Sequence, residues 1–123
     1  MLEGLPDDLG RLCRAVQGAL VHLEWLEAYG LTVRDLSHVS RDTLSVASRL
    51  RAIKDADPSP LLCPRAQAGR SPGTCRDYAL MLCGLLRHQH IPARVRCGFA
   101  TYFRAGRWED HWICEVWFAA ERR

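Results

Sequence analysis

Two side chains stand out as groups that could do chemistry together, a thiol and an imidazole. Cys75 follows Ser71-Pro72-Gly73-Thr74 and opens the run Cys75-Arg76-Asp77-Tyr78-Ala79-Leu80. Thr74 suits an N-cap and Asp77 stands three residues on, in the acidic position of a capping box, so a helix should begin at Cys75. Free backbone N–H groups and the positive end of the macrodipole favour a thiolate in the first turn of a helix. A nucleophilic thiol also needs a base that takes its proton and is itself oriented by a third group. His111, near the start of a strand one hairpin beyond the Cys75 helix, is the candidate base.

The elements that must position this pair follow from periodicity and turn residues. Pro6, at the first helical position, and Asp7-Asp8 read as a helix start. Leu5, Leu9, Leu12, Val16, Leu20, Leu23 and Leu26 then recur at helical spacing up to Gly30. His22 and Trp25 fall near the apolar edge of that helix and read as packing residues. A second helix is expected from Val39 to Ala56, with Val39, Leu44, Ala47, Leu50 and Ile53 on one face, ended by Asp57-Pro58-Ser59-Pro60. Leu61 to Gly73 reads as a loop, with turn residues at Ser71 to Gly73, that delivers the chain to Cys75.

The third helix should run from Cys75 to about His88, with Cys75, Ala79 and Leu82 on one stripe. Ile91-Pro92 breaks it. Two alternating strands follow, Ala93–Phe103 and Trp108–Phe118, joined by a turn at Ala105-Gly106. The expected fold class is α+β: a helical portion over residues 1–60 and a Cys/His core over residues 71–118, within one domain of 123 residues.

Composition narrows the function classes. A net charge of +3, with sixteen scattered Arg residues and the single Lys54, gives no basic stripe for nucleic acid. The longest apolar run, Ala79 to Leu86, is far short of a membrane span, and the N-terminus lacks the features of a signal peptide. A cytoplasmic location follows as an expectation, with the six cysteines (13, 63, 75, 83, 97 and 114) as free thiols. No Cys-x-x-Cys pair exists and the Cys and His spacings match no common zinc site, so neither metal nor cofactor is expected.

Five short blocks in order carry a family resemblance. Gly73-Thr74-Cys75-Arg76-Asp77-Tyr78-Ala79-Leu80 is followed by Leu85-Leu86-Arg87, Ile91-Pro92-Ala93-Arg94-Val95, Cys97-Gly98-Phe99 and then Asp110-His111-Trp112-Ile113-Cys114-Glu115-Val116-Trp117. From about Ser71 to Trp117 this resembles the core of the transglutaminase-like superfamily, most of all small bacterial members with a helical N-terminal portion. The resemblance implies a papain-like arrangement, a Cys-bearing helix packed on an antiparallel sheet that bears the His. It makes Cys75 the acyl-forming nucleophile, His111 the base and the Cys75 backbone N–H an oxyanion donor. The implied substrate is an amide of a peptide or small molecule, converted to a thioester that water or an amine resolves.

Two departures accompany the match. The family places a third catalytic residue, usually Asp, on the strand after the His strand, and the chain reaches Glu121-Arg122-Arg123 where that strand should begin. An incomplete C-terminus is therefore expected, with an exposed edge strand open to self-association. His90 also stands where the family prefers Gly before Ile-Pro.

Local readings remain for the other residues of the core. Thr74 and Asp77 read as helix caps, Arg94 as a structural partner of a carboxylate or carbonyl, and Trp112 as a core or cleft-wall residue. Asp110 should point away from the His111 face, and Glu115 shares that face but lies ~13 Å along the strand, too far to orient the imidazole. The rival to an acyl-transfer enzyme is a catalytically silent binding module that keeps the fold.

Overall fold

The computed structural model describes residues 2–36 and 45–120. Helix α1 spans Leu9–Ala19, and its N-cap is Asp8, whose carboxylate accepts the Arg11 N–H at 2.7 Å. Pro6 thus precedes the helix instead of starting it. The helix also ends earlier than the leucine repeat suggests. Leu20 turns extended, and Leu20–His22 form strand β1, followed by two short 3-10 turns and Gly30 at φ +67°. Leu20 and Val21 are fully buried in the strand, so the apolar repeat is satisfied without a helix.

The partner of β1 is equally unannounced by the sequence. Ser71–Gly73, expected as a turn, is strand β2, paired in parallel with β1 as Leu20↔Ser71, Val21↔Pro72 and His22↔Gly73. Proline is tolerated because, among the described residues, each of these strands has a single pairing partner.

Helix α2 spans Val46–Ala56, with the Ser45 hydroxyl accepting the Ser48 N–H at 3.1 Å. The expected earlier start, with Val39 and Leu44, lies outside the described residues. Val46, Arg49, Leu50 and Ile53 form the inward stripe, whereas Ala47 is exposed. The stretch from Asp57 to Arg65 wraps around one guanidinium. Buried Arg65 donates to the carbonyls of Asp57, Ser59, Pro60, Leu61 and Cys63, which fixes a segment that has no ladder of its own.

Helix α3 spans Cys75–His88 and forms the centre of the molecule. Its Met81, Leu85 and Leu86 pack with Leu12, Val16, Leu20, Ile53 and Leu61. Full burial of each such leucine contributes about 1.5–3 kcal/mol before chain entropy opposes it. The helix closes in a Schellman turn: His90 donates to the Arg87 carbonyl at 3.0 Å and Ile91 to that of Leu86 at 2.9 Å. His90 holds the left-handed position of this turn at φ +60°, which explains why glycine suits the site better.

Strands β3 (Ala93–Ala100) and β4 (Glu109–Val116) pair antiparallel, from Ala93↔Val116 to Ala100↔Glu109. At the hairpin end β3 is three residues and β4 one residue shorter than expected, because residues 101–108 form a loop with Gly106 at φ +72° instead of a tight turn, and β4 also stops two residues early at Val116. Cys114 and Val116 lie against the core. Among the described residues three α-helices and two two-stranded sheets make the fold α+β.

Candidate active site

The segment before Cys75 is held from α2. Arg49, nearly buried, forms an ion pair with Asp77 at 3.1 Å and donates to the Ser71 hydroxyl at 2.8 Å and the Pro72 carbonyl at 2.7 Å. One guanidinium therefore ties β2 to the first turn of α3, the use for which its planar fork is suited. The other Asp77 oxygen accepts the Thr74 N–H at 2.8 Å and the Thr74 hydroxyl at 3.3 Å. Gly73 is required by this closeness: a Cβ there would stand 2.8 Å from the Asp77 Cβ. Cys75 follows as the first helical residue, half-buried, with its N–H among the donors that no helical carbonyl can reach.

The opposing wall is β4. His111 pairs with Gly98, and its ring meets the Phe103 ring edge-on at 4.9 Å and the Tyr102 ring at 6.1 Å. The residue 101–108 loop thus folds back over the imidazole. Among the described residues no side-chain hydrogen bond reaches either ring nitrogen of His111. Arg76 lies 5.8 Å from the Trp112 ring centroid, a cation–π contact that ties the head of α3 to β4.

Between these walls runs a cleft of about 2210 Å³. Cys75, His111, Thr74, Asp110 and Trp112 all line it. Asp77, Arg94 and Glu115 do not; their charges are used elsewhere. The Glu115 carboxylate takes hydrogen bonds from Arg96 at 2.8 Å and Arg94 at 2.6 Å, and these hold it below the usual glutamate value.

Sequence reasoning passed over one residue at the centre of this geometry. The parallel β1–β2 pairing sets His22 beside Gly73, two residues before Cys75, on the cleft wall. Its Nδ1 accepts the Glu24 N–H at 3.2 Å, and its ring stacks on Tyr78 at 5.9 Å. Burial lowers its pKa and the nearby His111 adds to that, against the opposing charges of Glu24 and Asp77. Burial likewise pushes the Tyr78 hydroxyl up to about 12. No local signal in the sequence marks His22, since a helical reading of residues 20–26 points it elsewhere. Arg49 did carry a signal, a charge on the inward stripe of α2 with an acidic cap to meet.

Six free thiols are present, and their surroundings differ. Cys83 is buried, and burial together with Cys83 pushes Cys114 up to about 12, which keeps that thiol protonated. Cys63 and Cys97 are exposed and off the cleft. Among the described residues no group of three or more His, Cys, Asp or Glu is placed to hold a metal ion. No described helix is long and apolar enough to cross a membrane.

A family model for the transglutaminase-like superfamily matches residues 33–122. The match takes in α2, β2, α3, β3 and β4, with both Cys75 and His111, and leaves α1 and β1 outside. Searches of curated proteins and of solved structures returned no match.

Proposed function

The chain belongs to the transglutaminase-like superfamily, and from that premise we propose that it is a cysteine acyl-transfer protein acting on an amide of a peptide or small molecule. The observation that carries this reading is that Cys75, at the N-terminus of α3, and His111, on β4, line one cleft. In the reaction His111 takes the Cys75 proton and Sγ attacks the carbonyl carbon, placing the C=O electron pair on oxygen. When the tetrahedral intermediate collapses the C–N bond breaks, and the amine leaves with the proton held by His111. Water or a second amine then resolves the thioester, with His111 as base.

The test is competitive alkylation by iodoacetamide followed by peptide mass mapping. Cys75 is expected to label ahead of the exposed Cys63 and Cys97, and His111→Ala to slow it by at least tenfold. Labelling of Cys75 no faster than Cys63 would overturn the proposal. That result would favour the second reading, a silent binding module, for which the aromatic packing on His111 in place of a carboxylate partner is the motivating observation.

A further inference from the structure

His22 lies outside the segment that the family model matches, yet the fold brings it to the head of α3. The ring is positioned from three sides. Its backbone is fixed by pairing with Gly73, its Nδ1 by the Glu24 N–H at 3.2 Å, and its face by Tyr78 at 5.9 Å. Tyr78 stands one helical turn after Cys75 and so shares its side of α3. A ring held this way is half-buried and lines the same cleft as Cys75 rather than the core.

The hydrogen bond to Nδ1 decides what the ring can do. A neutral imidazole has one donor and one acceptor nitrogen. With the Nδ1 lone pair accepting the Glu24 N–H, the proton resides on Nε2, and the ring has no lone pair left to act as a base. It can only donate. The groups that face it, Glu24, Asp77, Tyr78 and His111, leave the neutral form favoured, and an imidazolium forming at His111 during attack disfavours a second positive charge beside it.

We infer that His22 Nε2–H is the second oxyanion donor of the cleft, pairing with the Cys75 backbone N–H to hold the oxygen of the tetrahedral intermediate. The inference rests on the acyl-transfer reading. When Sγ bonds to the carbonyl carbon, the displaced C=O electron pair becomes an oxyanion that receives both hydrogen bonds. When that pair re-forms C=O, the two bonds weaken and the C–N bond breaks. No proton leaves His22 at any stage, so the proton balance remains that of Cys75, His111 and the departing amine. The segment preceding the matched family region thus contributes directly to the chemistry.

Two reactions of the same thiol separate this role from others. Acylation by p-nitrophenyl acetate passes through an oxyanion, whereas alkylation by iodoacetamide is a displacement at saturated carbon and forms none. His22→Phe keeps a flat ring for Tyr78 and removes the donor; His22→Gln restores a donor. The expected result is a fall in the Cys75 acylation rate of about 10²–10³-fold in His22→Phe, partial recovery in His22→Gln, and alkylation within about twofold of wild type in both. Unchanged acylation in His22→Phe would overturn the inference alone. An equal fall in both reactions would also overturn it, by assigning His22 to the thiolate. If wild-type Cys75 showed neither selective alkylation nor acylation, the acyl-transfer reading would fail and this inference with it.

Discussion

A single hydrogen bond into His22 fixes its tautomer, and burial sets its response to acid. Its pKa is lowered in the folded protein, so below the ordinary imidazole value of 6.5 the unfolded chain binds the proton more readily. Stability contributed by the neutral ring is therefore present above pH 6.5 and lost as pH falls below it. Glu115, held low by its two arginines, adds a separate loss below about 4.5. Thermal melts of wild type should fall in two stages on acidification, and His22→Phe should remove the first while keeping the second. A one-stage profile in both proteins would count against the neutral, half-buried imidazole. The capping pattern at Thr74 and Asp77, and with it the start of α3, was legible from residue types alone because its determinants lie within four residues. His22 was not legible, because what makes it matter is a neighbour fifty residues away.

At the scale of elements, the head of α3 depends on a charge from α2. Arg49→Ala would take from the Asp77 carboxylate its closest cation, leaving Arg76 at 3.8 Å, and from the Pro72 carbonyl its guanidinium donor, and the expected cost is about 3 kcal/mol. A cycle with Asp77→Ala should show that the two losses do not add, with a coupling above about 0.5 kcal/mol in denaturant unfolding. The end of α3 offers the opposite sign. His90→Gly relieves a left-handed residue and should stabilise by about 1 kcal/mol, less the extra chain entropy that glycine loses. A lower melting temperature in that variant would contradict the strain. Helix α3 and the β3–β4 hairpin were legible in the sequence, since their periodicities are unbroken and each pairs with its neighbour in the chain. The α1–β1 boundary was not: Leu20, Val21, Leu23 and Leu26 satisfy helical spacing while being buried by another route. The same ambiguity hid β2, whose Ser, Pro and Gly composition speaks for a turn.

For the molecule as a whole, the β3–β4 sheet is the least covered part. Among the described residues each of its strands has one partner, and Phe99 and Trp108 are 73% and 75% exposed. An apolar two-stranded ribbon with free edges is a template for a further strand. Self-association through this hairpin is expected. Sedimentation velocity should show a concentration-dependent species, and Trp108→Lys together with Phe99→Lys should return it to the monomer. A wild type that stays monomeric at high protein concentration would remove this expectation.

The parallel pairing of β1 with β2 has a consequence for folding order. His22 and Gly73 meet across 51 residues (73 − 22), whereas α3 and the β3–β4 hairpin close through contacts near in sequence. Closing the longer loop costs more entropy and is compensated only once the intervening segment has ordered. The β1–β2 pairing that brings His22 to Gly73 thus follows α3 and the β3–β4 hairpin in the expected order of folding, so a nascent chain would carry its nucleophile in place before the site could turn it over.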